Sequence, residues 1–537
     1  MPYQCSCPLC SGLSLDTLNG STPDATLGAS LVQTLSPAAP ANTIITKVIS
    51  GDSRVDALLL DLSYRLNSTT APGTPVTVTF SFPTQLPAAY SGDNAFGWRP
   101  FSAQQQGATR EVLSLLQKQI NITFVEVTDT PSAGGTIRFS DTTQSGSAGY
   151  AYLANSSRTS LDSDVFISNS YSTNVTSGSY AWTTLVHELG HALGLKHPGN
   201  YNATQTTSAS ASGNFLGVNE DTFYNTIMTY RDSAQGINNT WFMPYDLLAL
   251  RYLYGARAFE TGNNTYTFSD ASGQSVRNIV DDGGTDTLDF SAVTVGVGIN
   301  LSPGGYSSVG KLLSGASALA NVTLSLDAVI ENVVGTGQAD VIFGNAANNT
   351  LTGGGGNDTL DGGAGADAAV FSGPRARYVI TKTQSGQTVK DNAGTDGTDT
   401  LTNIERLFFS DGKLALDLNG SAGQTVKLIG AVFGKASVAN ASFVSTGLRL
   451  LDNGMSYQQL GTLAINETGK KANIDIVSLL WTNLFGSAPT SSQSAPYVAM
   501  LDKGLSAGAL AVMAADTGEN MTSINLVGLS QTGVVYI

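Results

Sequence analysis

Cysteine is nearly absent from this sequence. Of 537 residues only three are Cys, at Cys5, Cys7 and Cys10, so the rest of the chain has no internal disulfide and must be held by packing or by metal. Histidine is equally rare, with three in all. Charge is sparse, at 12% of residues, and tilted to one sign: 26 Lys+Arg against 41 Asp+Glu give a formal net charge of −15. That balance repels nucleic-acid phosphates and anionic lipid, and it leaves divalent cations as the better partners. No stretch approaches the ~18 consecutive apolar residues of a membrane span, so membrane insertion is not expected. The first Lys is Lys47, and the N-terminus shows neither the basic nor the apolar region of a Sec signal peptide. Export would need another route.

What is abundant is glycine, 59 residues, well above the usual ~7%. The length predicts about three or four domains. Residues 1–40, rich in Ser, Pro, Ala and Thr, read as a leader or pro-segment. From 41 to 255 the pattern is that of an α+β domain. Strands are expected at Val76–Phe82, Ile120–Phe124, Thr136–Phe139 and Asp164–Ile167, with one helix over Ser102–Asn121 and a helical run from Pro244 to Tyr252. Beyond 256 helical periodicity gives way to short β segments between Gly, Asp and Asn turns. Residues 256–415 are therefore expected to form a second, β-rich domain, closed by a β segment over 376–415. Helical character returns over 416–537, for instance at Ile474–Phe485 and Gly508–Asp516.

The run His187-Glu188-Leu189-Gly190-His191-Ala192-Leu193-Gly194-Leu195-Lys196-His197 carries the chemistry. Two histidines four apart share one helical face and can converge on one ion. Glu188 then lies beside the ion without ligating it. Gly194 can adopt positive φ, end the helix and bring His197 back as a third ligand. Three imidazoles leave one position for water, which is the pattern of catalytic rather than structural zinc. Three histidines scattered at random over the chain would fall into this spacing with a probability on the order of 10⁻⁵.

This run resembles the metzincin zinc signature, and Pro198 after the third histidine is the residue that marks serralysins within that clan. Thr226-Ile227-Met228-Thr229-Tyr230 resembles the methionine turn beneath the zinc site. The resemblance implies Met228 as its structural residue and Tyr230 as a zinc ligand of the resting enzyme that later stabilises the oxyanion. With Glu188 as general base, the expected activity is that of a zinc metalloendopeptidase, its substrate lying along an edge strand. Gly149–Leu153 is the candidate edge, although any buried strand reads similarly.

A second array has a period of nine: Gly335 to Asp340, Gly344 to Asn349, Gly353 to Asp358 and Gly362 to Asp367. Glycines allow tight turns, backbone carbonyls and carboxylates face an ion, and Ile342, Leu351, Leu360 and Ala369 point inward. One coil is two nonapeptides, so Asp340 should stack on Asp358 and Asn349 on Asp367. A Gly/Asn-rich flexible linker is the plainer alternative. The array resembles the calcium-binding repeats of RTX proteins, a parallel β-roll. Asp340, Gly353, Gly355, Asn357, Asp358, Gly362, Gly365 and Asp367 are then candidate calcium-site residues. Resemblance to the serralysin C-terminal region adds Asp281, Gly283, Gly284, Asp286 and Glu331, with Glu260, Gly262 and Asn264 from a loop that departs from the usual sequence.

The fold expected is thus multidomain, with an α+β metzincin catalytic domain, a parallel β-roll calcium-binding domain and a helical C-terminal domain, working as a monomer. By resemblance, such a protein is secreted through type I secretion machinery with an uncleaved C-terminal signal, compatible with the apolar end Val534-Val535-Tyr536-Ile537. Cys5, Cys7 and Cys10 are not a feature of serralysin leaders. Either one thiolate caps the zinc and keeps a zymogen latent, or the tail is dispensable. The rival reading of the whole is a non-enzymatic secreted calcium-binding surface or adhesion protein that keeps the metzincin fold as a scaffold.

Overall fold

Val76–Ser81, where apolar residues alternate, is the first strand of the N-terminal sheet. The computed structural model describes residues 49–154, 161–199 and 214–537, so the leader and its three cysteines lie outside the described residues. The chain divides into two compact units at Ile330/Glu331.

In the first unit a short helix, α1 (Ser53–Asp56), precedes β1 (Val76–Ser81), β2 (Arg99–Pro100) and α2 (Ala103–Gln119). Then come β3 (Ile122–Glu126), β4 (Ile137–Thr142), β5 (Gly149–Ala151) and β6 (Val165–Ser168). The sheet order is β3-β1-β4-β6-β5, with β2 paired to β4. β1 runs parallel to both neighbours, in register Val76↔Ile122 and Phe80↔Ile137, and β4 runs parallel to β6. β5 is antiparallel to β6, with Tyr150 opposite Phe166, and ends the sheet.

The helix α2 starts at a capping box, in which the Ser102 hydroxyl accepts from Gln105 N and the Gln105 side chain accepts from Ser102 N. It buries Ala108, Val112, Leu113 and Leu116. Two further helices, α3 (Tyr180–Ala192) and α4 (Pro244–Tyr254), join it in the core, at the histidine run and the helical run expected there. α3 is buried from Ala181 to Ala192, which makes it an interior helix rather than a surface one. α4 begins with Pro244 at its first turn, where a missing N–H costs nothing.

The unit does not end at 255, as the change of periodicity suggested. β7 (Asn238–Asn239) pairs in parallel with β9 (Ser275–Ile279), Asn278 Nδ2 donates to Phe242 O, and Arg251 forms a 2.7 Å ion pair with Asp282. Backbone pairing and a half-buried ion pair therefore fasten 256–330 to the helical part. This segment also holds β8 (Thr265–Ser269), β10 (Thr287–Ala292), β11 (Gly298–Asn300), β12 (Tyr306–Ser307) and β13 (Val322–Leu324).

The second unit opens with five three-residue strands: β14 (Asn332–Val334), β15 (Val341–Phe343), β16 (Thr350–Thr352), β17 (Thr359–Asp361) and β18 (Ala368–Val370). They stack alternately on two parallel faces. Val333, Leu351 and Ala369 are in register on one face and Ile342 and Leu360 on the other, all buried. The faces continue through β21 (Thr398–Thr402) and β22 (Arg406–Phe409), after the hairpin β19 (Tyr378–Lys382) and β20 (Gln387–Asp391). β23 (Gly412–Ala415) leads into α5 (Ser421–Phe433), α6 (Ala441–Asp452), α7 (Tyr457–Glu467), α8 (Asn473–Phe485), α9 (Ser491–Asp502), α10 (Ala507–Ala515), α11 (Gly518–Ser523) and α12 (Leu526–Thr532). The chain ends in β24 (Val534–Tyr536), antiparallel to β23, so the apolar end is a strand of the folded unit with Val534 and Tyr536 buried. No described helix is long and apolar enough to cross a membrane.

Roll and helices of this unit are tied by one buried cation. The Arg406 guanidinium, on β22, pairs with Asp417 and, at 2.8 Å, with Asp452 of α6. Arg406→Ala leaves both carboxylates without their counter-charge and should cost about 3–5 kcal/mol. A urea denaturation midpoint unchanged by the substitution, followed by far-UV circular dichroism in calcium, would contradict this.

Candidate metal centre and active site

His187 and His191 lie one turn apart on the buried helix α3, and the helix is stopped at Gly194. With φ +107°, Gly194 occupies the conformation that favours glycine, and a Cβ there would sit 2.2 Å from Tyr64 O. Leu195 N donates back to Gly190 O at 2.9 Å, and Lys196 N donates to Leu58 O at 2.8 Å, so the chain turns and returns His197 toward the helix. All three imidazoles are buried.

Their hydrogen bonds fix which nitrogen is bare. His187 Nδ1 is 2.7 Å from Ile227 O, and His191 Nδ1 is 2.7 Å from Leu195 O. A carbonyl only accepts, so both Nδ1 atoms carry the proton and both Nε2 atoms present lone pairs. His197 Nε2 lies 3.2 Å from one of these and 3.0 Å from the other, and could donate to only one of them. Protonation offers no general relief. Burial pushes the His187 imidazolium pKa down to about 4 and that of His191 to about 3, and holds that of His197 well below its ordinary value. A cation is what such a cluster fits: a tetrahedral zinc with Zn–N bonds of about 2.0–2.1 Å separates its ligand nitrogens by about 3.3 Å. Among the described residues this is the one group of three or more candidate metal ligands drawn from His, Cys, Asp and Glu that lies so close together.

The turn that carries Met228 packs against this helix. Met228 is fully buried, and its Sδ is 2.6 Å from where a Cβ of Gly190 would stand, so α3 approaches the turn only because residue 190 has no side chain. The turn is held on both sides. Asp246 of α4 accepts from Thr226 Oγ1 (2.5 Å), Ile227 N (2.7 Å) and Met243 N (2.9 Å), while Thr229 Oγ1 donates to Asp221 at 2.6 Å. Burial raises the Asp246 carboxyl pKa to about 7. Because Ile227 O orients His187, Asp246 supports that imidazole through one residue. The Tyr230 ring is 4.1 Å from that of His197, centroid to centroid.

Glu188 is buried between α3 and the sheet edge: a Cβ on Gly149 would stand 2.8 Å from its Cγ and 3.0 Å from its Oε1. Gly149 of β5, expected as part of an edge strand, therefore also makes room for this carboxylate.

In the second unit the repeat carboxylates stack at a spacing of eighteen residues. Asp340 N donates to Asp358 Oδ1 (2.9 Å) and Asn349 N to Asp367 Oδ1 (2.7 Å). The second oxygens of Asp358 and Asp367 are buried with no hydrogen-bond partner among the described residues. Burial first, and then neighbouring carboxylates, raise the pKa of Asp358 to about 8 and that of Asp367 to about 7. Gly353 and Gly362 pack directly on these carboxylates, at 2.1 and 2.6 Å from Oδ2 for an added Cβ. Gly365 supplies a turn at φ +137°, a Cβ on Gly355 would stand 3.3 Å from Thr395 O, and Asn357 Oδ1 accepts from Thr398 N. Two residues continue the columns unannounced: Asp399 accepts from Asp358 N and Glu405 from Asp367 N, each at 2.9 Å. Their signal was present, since Asp399 precedes Leu401 and Glu405 precedes Leu407 by the same two positions as Asp358 precedes Leu360.

The other candidate calcium loops also meet. Tyr266 OH donates to Asp281 (2.6 Å), Gly283 N to Asp281 (2.9 Å), Asn264 N to Asp286 (2.7 Å) and Asn264 Nδ2 to Glu260 (2.8 Å). A Cβ on Gly284 would strike Gly262 O at 2.2 Å. Glu331 lies in the other unit, where its carbonyl accepts from Thr350 N.

A mixed sheet with an antiparallel edge, a buried helix carrying two imidazoles and a turn carrying Met228 against that helix are the arrangement that the resemblance to metzincins implies. Comparison with known proteins narrows this. Residues 76–242 match the model described as metallo-peptidase family M12, and 251–440 match that of the peptidase M10 serralysin C terminal. The chain is 34% identical over 274 residues to the serralysin of Photorhabdus laumondii, covering 47% of this chain and 55% of that protein. It is 35% identical over 191 residues to the serralysin of Proteus mirabilis (32% and 37% covered) and 29% identical over 300 residues to metallopeptidase AprA of Pseudomonas marginalis (51% and 61%). These matches support a serralysin-type metzincin metalloprotease, and the chain spans about half the length of the first curated relatives it matches.

Asp246→Ala should loosen the turn that orients His187 and weaken zinc binding about 10- to 100-fold. Chelator competition measures this; unchanged affinity would show that the turn holds without its carboxylate.

Proposed function

We propose that the chain is a secreted, calcium-stabilised zinc endopeptidase that hydrolyses peptide bonds in extracellular proteins. The observation that carries this reading is Glu188, a buried carboxylate adjoining a histidine of a three-imidazole cluster and given room by a glycine of the sheet edge. A structural zinc site is closed by four protein ligands and has no use for a base beside it.

His187, His191 and His197 would hold the zinc, with Tyr230 as an additional ligand at rest. Bound there, zinc supplies Lewis acidity: it polarises a carbonyl and lowers the pKa of water to about 7. The Glu188 carboxylate takes a proton from the attacking water and returns it to the leaving amine. The Tyr230 hydroxyl donates a hydrogen bond to the oxyanion of the tetrahedral intermediate, a contribution usually worth about 2.7–4 kcal/mol. The peptide adds as a strand to β5, which has β6 on one side only among the described residues.

Calcium completes the second unit. The partnerless oxygens of Asp358 and Asp367 face a cost that a divalent cation removes, with Asp340, Asp399 and Glu405 as further oxygen donors. Without calcium the carboxylates repel and the roll opens, which suits passage through type I secretion machinery before folding outside the cell.

Three measurements test this. Casein cleavage by the zinc-loaded protein should fall at least about 10³-fold in Glu188→Ala with zinc retained; equal cleavage by both would eliminate the proposed mechanism, and no cleavage by the wild type would leave the scaffold reading. Gly149→Ala should lower kcat by displacing the Glu188 side chain while zinc content stays at wild type, and an unchanged kcat would refute that positioning. Calcium chelation should abolish the β signal of 331–415 in circular dichroism, and an indifferent spectrum would remove calcium from the account.

A further inference from the structure

Lys196 immediately precedes the third histidine, and its ammonium is spent on backbone. Its Nζ donates to Ala57 O, to Asn214 O at 2.6 Å and to His197 O at 3.1 Å. An ammonium has three hydrogens and no lone pair, so three acceptors use it fully. All three are carbonyls rather than carboxylates, and the charge therefore gathers backbone dipoles instead of neutralising an acid. The Phe215 ring lies against it, with its centroid 4.8 Å from Nζ.

The carbonyls belong to stretches of chain that lie 139 and 18 residues from Lys196, together with its own neighbour. Ala57 and Leu58 follow α1 and are fully buried; Leu58 O accepts from Lys196 N at 2.8 Å, and Leu59 bridges to Leu195. On the other side, Leu216 N donates to Pro198 O at 2.9 Å. Backbone bonds thus fix Leu195, Lys196 and Pro198, and the ammonium adds a bond to the carbonyl of His197 itself. The first two imidazoles need no such device. They stand on the buried helix α3, and each is aimed by a carbonyl at its Nδ1. His197 lies past the end of that helix, so its place depends on what holds the turn.

We propose that Lys196 is the positioning residue of the third metal ligand: its ammonium draws the carbonyls of Ala57, His197 and Asn214 to one point and so sets the His197 ring against the other two. This inference rests on reading the imidazole cluster as a zinc site. Lys196 acts in it as a three-way donor and exchanges no proton.

Lys196→Met keeps the length of the side chain and removes every donor. In the full chain it should weaken zinc binding about 10- to 100-fold in chelator competition and shift the visible absorption bands of the cobalt(II)-substituted protein, which report ligand geometry. Arg138→Met controls for stability alone. It removes another buried cation of the same unit, paired with Asp129 at 2.9 Å, and should lower the thermal midpoint while zinc affinity and cobalt bands stay at wild type. Lys196→Ala leaves room for water on the same carbonyls and carries the same expectation where the Met variant does not fold. Wild-type zinc affinity and cobalt bands in a folded Lys196 variant would overturn the inference, as would an equal loss of affinity in Arg138→Met. A wild-type chain that binds no zinc would overturn the reading of the cluster, and this inference with it.

Discussion

Bare nitrogen lone pairs facing one another inside a protein are the constraint on which the catalytic part of this molecule is built. The Nε2 atoms of His187 and His191 are stripped of protons by the carbonyls that hold the opposite ring nitrogen, and His197 Nε2 is set about 3 Å from both. Protonation is opposed by burial, and water has little access. Only a cation makes this geometry favourable, so the surrounding elements can be understood as the frame that keeps three rings converged before it arrives. The buried helix fixes two rings, the glycine turn returns the third, and the Asp246-anchored methionine turn supplies the carbonyl that aims the first.

The second unit solves a different problem in the same currency of unsatisfied donors. In the roll each turn's carboxylate spends one oxygen on the backbone N–H of the preceding turn, and for Asp358 and Asp367 the other is left buried without a partner. The result is a column of negative groups whose apolar neighbours, Leu351, Ala369, Ile342 and Leu360, are already well packed. Packing gives the repeats their shape, and under the proposed function charge repulsion makes that shape conditional on calcium. The imidazole cluster thus lies in the first unit and the repeat carboxylates in the second.

Much of this was legible because local spacing determines it. Residues four apart must share a helix face, and a nine-residue period must stack every eighteen. The sheet strands near the site followed from alternation at Val76–Ser81 and from the short apolar runs that became β4 and β6. What the sequence concealed depends on tertiary encounter. Asp246 reads as an ordinary first-turn acid of a helix begun by Pro244, and nothing local says that its carboxylate will clasp a turn twenty residues earlier. The boundary at 330 was hidden for the same reason: a change from helical to β periodicity marks a change of secondary structure, while Arg251 with Asp282 and β7 with β9 carry the fold across it. Asp399 and Glu405 were obscured by the hairpin inserted between them and the repeats they continue.

Glycine explains why the active-site frame cannot be inferred from hydrophobic pattern alone. Gly149, Gly190 and Gly194 are three positions where a methyl group would meet, respectively, the Glu188 side chain, the Met228 sulfur and the Tyr64 carbonyl at 2.2–2.8 Å. Gly190 stands in the middle of a helix, where glycine costs about 0.8–1.0 kcal/mol relative to alanine. A helix whose only task was to fill a core would gain by placing alanine there. The gap is accounted for by the approach of the methionine turn, which must come close enough for Ile227 O to hold His187 at 2.7 Å. Local stability is therefore given up at the position where the imidazole cluster needs backbone and side chain in contact, and the loss sits on the element that carries two of its three rings.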